Sequence, residues 1–149
     1  MSNPSVRNDV SAVFRFMVEL DGLIVGGFHE VSGLQAETQL MEYVEGGVND
    51  YVHQFPKQMK YPRIVLKRGM TSSSELWDWY DAVIAGKVLR KNGAVILQNQ
   101  AGTELCRWNF FDAYPVKWSG PDLNATSSEI AIESIEMVHN GIKTIFNKK

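Results

Sequence analysis

The chain has 149 residues, 44% of them apolar, a formal net charge of −2 and a pI near 5.9. That is enough for one domain with a real core, too apolar for a disordered segment, and not basic enough for a dedicated nucleic-acid binder. A single cysteine, Cys106, excludes an internal disulfide and any multi-cysteine metal site, and no apolar run approaches the roughly 20 residues of a membrane helix.

The first stretch, "MSNPSVRNDVSAVF", lacks a charged start followed by an apolar block, so no secretory signal peptide is read and synthesis in the cytoplasm is expected. Residues 1–10 are polar and read as a flexible arm. "AVFRFMVEL" (12–20) alternates: Phe14, Phe16, Val18 and Leu20 fall on one face, Arg15 and Glu19 on the other, which is a half-buried strand. Asp21-Gly22 is a hairpin signal, and "LIVGGFHEV" returns as a second strand, with Gly26-Gly27 marking a bulge or a close backbone neighbour. "AETQLMEY" (36–43) reads as a third, more polar strand, and "RIVLKR" (63–68) as a fourth. Between them lies "EYVEGGVNDYVHQFPKQMKYP", long, aromatic and without a clean period.

One helix is expected, in "SSSELWDWYDAVIAG". Ser72 and Glu75 have capping-box spacing, Leu76, Trp79, Tyr80, Val83 and Ile84 form one apolar stripe, and Gly86 is placed to end the helix in a left-handed turn. Strands resume with "AVILQN" (94–99) after an Asn92-Gly93 turn signal. "ELCRWNFFDAYPVKW" (104–118) follows, with Pro115 as a kink or edge. "EIAIESIEMV" (129–138) is the last long strand. In that last segment the apolar phase shifts between Ile130/Ile132 and Ile135/Met137, so either a bulge sits near Glu133 or both faces are partly buried. Seven or so strands and one helix give a mainly β fold, a barrel or sandwich with the helix packed on its side.

Residues for chemistry are scarce. His29, His53 and His139 lack metal-ligand spacing and read as turn or surface histidines; no nucleophile elbow, P-loop or dinucleotide fingerprint is present. Asp78 and Asp81 read as a solvated helix face, and Cys106 as a small buried apolar residue. Glu133 and Glu136, interrupting an apolar strand, face solvent, a partner's charge or a wet channel. Lys57, Lys60, Arg63, Lys67 and Arg68 interleave with Tyr51, Phe55 and Tyr61; with an acidic overall charge this favours a protein contact over single-stranded nucleic acid. No catalytic, cofactor or metal residues are assigned.

The order of the signals resembles the tail-tube proteins of contractile phages and phage-tail-like contractile injection systems. The resemblance rests on "FMVELDGLIVGGFHEVSGL", "EYVEGGVND", "LKRGMTSSSELWDWY", "RWNFFDAYPVKWSGPDLNA" and "IAIESIEMVHNGI", which together span about 14–142. It implies a tail-tube β-barrel with a helix at its side, and a non-enzymatic structural subunit that forms six-membered rings stacked into a hollow tube. The fold is also similar to that of the haemolysin-coregulated protein, the tube unit of type VI secretion. Implied partners are other copies of the chain, a contracting sheath, baseplate or spike proteins and tube-terminating proteins. Lumenal cargo is possible, and DNA passes without specific contact if the particle is a phage. The resemblance also implies a bacterial cytoplasmic origin and a particle that can be released from the cell. A tube-initiating ring above the spike and a soluble cargo-carrying ring are the alternatives. Residues 44–60 would be an extended inter-subunit loop, bent at Gly46 and Gly47, with Tyr43, Val48, Tyr51, Val52 and Phe55 supplying contact area.

Overall fold

The computed structural model describes residues 15–44, 46–47, 51–126 and 128–147. The expected arm at 1–10 and the start of the first strand, including Phe14, lie outside them, as does Val48.

Strand β1 (Arg15–Leu20) turns at Asp21-Gly22 into β2 (Leu23–Phe28). Both turn residues have positive φ, 50° and 80°, as a two-residue hairpin matching the twist of its strands requires. Val18 and Leu20 are buried, as their alternation predicts. The pairing slips between Val18 and Glu19, next to Gly26, so the glycine pair does accompany a bulge. The second strand is shorter than "LIVGGFHEV": it breaks at His29, and β3 (Glu30–Ser32) follows with a new partner.

β6 (Ile64–Gly69) pairs with β3 on one side and with β9 (Ile132–Val138) on the other. β9 pairs with the second half of β8 (Glu104–Ser119), whose first half pairs with β7 (Lys91–Gln98) and with β10 (Gly141–Phe146). β7 returns to β1. The sheet order is therefore β2-β1-β7-β8-β9-β6-β3, and because β2 runs through His29 straight into β3, the path comes back to its start. The His29 N–H donates to the Lys67 carbonyl at 3.1 Å across this seam. The result is a barrel filled by Val18, Phe28, Ile64, Leu66, Val95, Phe110, Ile135 and Met137, with Leu76 and Trp79 of the helix packed against it.

Helix α1 (Glu75–Ile84) differs from expectation at its start. Ser74, not Ser72, occupies the N-cap, without a side-chain cap; its hydroxyl donates to Asp78 Oδ2 at 2.8 Å, while the Ser73 hydroxyl donates to Glu75. Three adjacent serines let the chain choose, and Glu75 is already held by Ser73 and Arg68, so it does not reach back. The C-terminus is as expected. Gly86 has φ 88°, its N–H donates to the Val83 carbonyl and that of Lys87 to Ala82, the pair of bonds that closes a Schellman turn. Of the stripe, Leu76 and Trp79 are buried, Tyr80 and Val83 half-buried, and Ile84 is exposed. Trp79 Nε1–H donates to the Leu89 carbonyl at 2.8 Å, anchoring the helix to the segment entering β7.

One further expectation is corrected. Asn92-Gly93 is no turn but part of β7. A Cβ on Gly93 would lie 2.4 Å from the Glu19 carbonyl oxygen and from the Phe110 ring, so the glycine serves close packing. The last long strand, which begins at Ile132 and not at Glu129, is followed by a short one, β10, antiparallel to β8. Of the two alternatives at Glu133, the structure has partial burial of both faces and no bulge: the β6–β9 register is continuous, Glu133, Ile135 and Met137 are buried, Ile132, Ser134 and Glu136 are half-buried, and Ile130 lies outside the strand, exposed. The kink expected at Pro115 is present as a slip in the β8–β9 pairing between Pro115 and Lys117.

Candidate functional site

Two strands stand apart from the barrel. β4 (Glu37–Tyr43) and β5 (His53–Lys60) pair only with each other. The stretch expected to be one extended loop, 44–60, is thus half regular, since 53–60 is a strand. The missing period has a cause. With few neighbours to bury either face, the sequence is under no pressure to alternate, and a slip between Thr38 and Leu40 further mixes the faces.

The exit from the barrel is set by Gly33. Its φ is 88°, and a Cβ there would fall 1.9 Å from the Arg63 carbonyl oxygen, so no other residue lets the chain leave β3 at this angle beside β6. The hairpin then carries unusually much apolar surface. Leu40, Met41, Tyr43, Val44, Tyr51, Val52, Phe55 and Met59 are all at least 46% exposed. Met41 stands opposite Phe55 and Tyr43 opposite His53. Tyr51, His53, Phe55 and Tyr43 form a chain of ring contacts with centroids 4.9, 6.2 and 6.5 Å apart. Tyr43, Tyr51 and Phe55, singled out from the sequence, are therefore brought together; Val52 is exposed beside them, and Gly46 and Gly47 lie in the turn, Gly47 with φ 99°. Leu40, Met41, Val44 and Met59 were missed. Their signal was the pairing of 53–60 with 37–43, which places them on the same projection.

The backbone is as unfinished as the side chains. β4 and β5 each have one side without a strand partner, and β10 pairs with β8 on one side alone. Ile145 and Phe146 are exposed on that strand. Such edges are templates for another chain.

The expected basic-aromatic cluster is dispersed. Arg68 is buried, its side chain held by Glu133, by the Val25 carbonyl at 3.0 Å and by Glu75 at 3.5 Å, with its guanidinium 5.4 Å from the Phe28 ring centroid. Trp118 Nε1–H donates to the other oxygen of Glu133 at 3.3 Å. Lys67 pairs with Glu30, and Arg63 and Lys117 with Glu136, on the outer faces of the strands. His139, expected near the surface, is buried instead. Its ring nitrogens lie 3.0 Å from the Gly141 carbonyl and 3.1 Å from that of Pro62, which ties the start of β10 to the segment following the hairpin. Cys106 is buried as expected, and burial pushes its thiol above the ordinary range. Among the described residues no group of three or more His, Cys, Asp or Glu could hold a metal, and no helix is long and apolar enough to cross a membrane. The concentration of unusual features on a projecting hairpin and open edges is that of a surface for macromolecular contact.

Comparison with known proteins bears on the same point. Residues 12–143 match the family model described as T4-like virus tail tube protein gp19. Comparison with curated protein sequences gives no match. Among solved structures, the chain is similar to one from the PVC sheath-tube complex of an extracellular contractile injection system in its extended state, at 28% identity and TM-score 0.83, covering 98% of this chain and all of that one. It is similar to one in the cap of the anti-feeding prophage, a tube-terminating cap, at 29% identity and TM-score 0.81 over 96% and 99% of the two chains. Hcp1 from Flavobacterium johnsoniae shares the fold at 18% identity and TM-score 0.56, over 89% and 96%. The matched proteins are structural tube proteins, not enzymes.

Proposed function

The chain belongs to the T4-like virus tail tube protein family, and from that premise we propose that it is the inner-tube subunit of a contractile injection particle, built as stacked six-membered rings and surrounded by a sheath. The observation that carries this is the hairpin β4–β5. A two-stranded ribbon with exposed aromatics on a small barrel is marginal in water by itself and gains its stability from a neighbour. Lateral pairing along the edges of β10, β4 and β5 would satisfy backbone groups that the single chain leaves to solvent. The work is mechanical: the tube is a conduit and a rigid ram, and the stored energy resides in the sheath, so this chain needs no nucleotide chemistry. Baseplate or spike proteins at one end and a terminator at the other are the further partners, in keeping with the tube-terminating cap that contains a similar chain. The extracellular contractile injection system that contains the similar PVC chain supports assembly in a released particle.

Electron microscopy of the purified protein at increasing concentration tests the reading. Long hollow tubes are expected for the main tube subunit. Isolated rings that never stack would assign the chain to a tube-initiating ring, and rings retaining a protein in the lumen to a carrier. A monomer at high concentration would refute all three.

A further inference from the structure

We propose that the receptor for the hairpin is the cleft in the segment joining β8 to β9 of a second copy, so that β5 of one protomer docks between residues 120–124 and 129–132 of the next. The inference rests on the assembly reading above and names the partner surface of that site. The cleft, about 510 Å³, is lined by Gly120–Asn124 on one wall and Glu129–Ile132 on the other. Among the described residues, Leu123 and Ile130 are the two most exposed large apolar side chains in the molecule, at 85% and 79%, and both line this one cleft. Apolar groups so exposed at a concavity call for an apolar insert. The cleft is also acidic at Asp122, with no lysine or arginine among its lining residues.

β5 is the complement. It is an exposed projection that carries Lys57 next to Met59; Lys60, the other lysine of the strand, stands opposite Glu37 of β4, which leaves Lys57 as the charge for the cleft. Within one chain the hairpin pairs with no other strand, so the contact is between copies. It joins two different patches, and such head-to-tail contacts close into rings or propagate into filaments, the geometry a tube needs.

The test mixes two variants of the full chain, Met59→Cys and Leu123→Cys; the native Cys106 is buried and does not compete. On mild oxidation a disulfide-linked dimer is expected in the mixture and in neither variant alone. Independently, Lys57→Glu and Asp122→Lys should each raise the protein concentration needed for assembly on the order of tenfold, and the two together should recover most of it. Assembly of the mixture without the cross-link, with charge reversals that change nothing, overturns this docking and leaves the assembly reading standing. A wild-type chain that stays monomeric overturns both.

Discussion

At the scale of residues, the most consequential pair is Arg68 and Glu133. They face each other across β6 and β9 in the row that otherwise holds Ile64, Leu66, Ile135 and Met137, and are 5% and 3% exposed. An ion pair in a barrel core survives because every group is served: the guanidinium reaches Glu133, the Val25 carbonyl and Glu75, and Glu133 also accepts from Trp118. The pair joins β2, β6, β8, β9 and the start of α1. Removing one member strands the other. Glu133→Leu or Arg68→Met alone should cost about 3–5 kcal/mol in urea unfolding, and the double variant should recover a large part of that loss. A single variant of wild-type stability would contradict the burial. Glu75, at the edge of this network, has its carboxyl held below the usual carboxylate range, first by the Ser73 hydroxyl, then by its own backbone N–H, with Arg68 contributing less. A carboxylate lowered in the fold stabilises above its unfolded pKa and loses that contribution as pH falls through the folded value. The group is exposed, so the effect is small. The stability difference between wild type and Glu75→Gln should be present at neutral pH and vanish in acid, in paired denaturation curves.

At the scale of elements, the helix separates two serine roles and one glycine role. Gly86→Ala puts a Cβ at φ 88° and should destabilise by about 1 kcal/mol. Ser72→Ala removes a hydroxyl that caps nothing and should stay within about 0.5 kcal/mol of wild type in thermal unfolding; a loss near that of Gly86→Ala would restore the capping box. The irregular stretch after β4 shows the complementary case. Its pairing partner, not its own pattern, makes 53–60 a strand. β10 was unreadable for a similar reason. "GIKTIF" is short and mixed, and it becomes a strand because β8 is long enough to offer it a second register beyond β9. The bend in β8 at Asp112, with φ 52° and its N–H accepted by Asn92 Oδ1, shifts the buried parity from Cys106 and Phe110 to Ala113 and Pro115. No alternation rule survives such a bend.

At the scale of the whole molecule, the barrel and the hairpin are two regimes of stability. The barrel is closed through β2–β3 and filled; the hairpin is exposed on both faces. Amide exchange on the dissociated chain should therefore show β6, β7 and β9 protected and 37–60 open, with protection of 37–60 rising in the assembled state. Equal protection in both states would mean that the ribbon is held by its own chain, and the assembly reading would lose its main support. Salt should weaken the proposed docking of β5 on the acidic cleft more than it weakens the barrel, because exposed charges are screened and a filled core is not.

Local chemistry was written in the chain. The β1–β2 turn, the helix and its glycine stop, the burial of Val18, Leu20, Leu76 and Trp79, and the mainly β class follow from period, turn residues and capping, which act between near neighbours. The hairpin residues Tyr43, Tyr51, Val52 and Phe55 were legible as an anomaly for the same reason, apolar groups in a stretch with no period of its own. The tertiary structure alone decided that Arg68 and Glu133 lie inside, that His139 is buried, that Gly93 is a packing glycine and that 53–60 and 141–146 are strands. Each of these depends on which strand stands alongside in what register, and register is a long-range property that no short window of sequence contains.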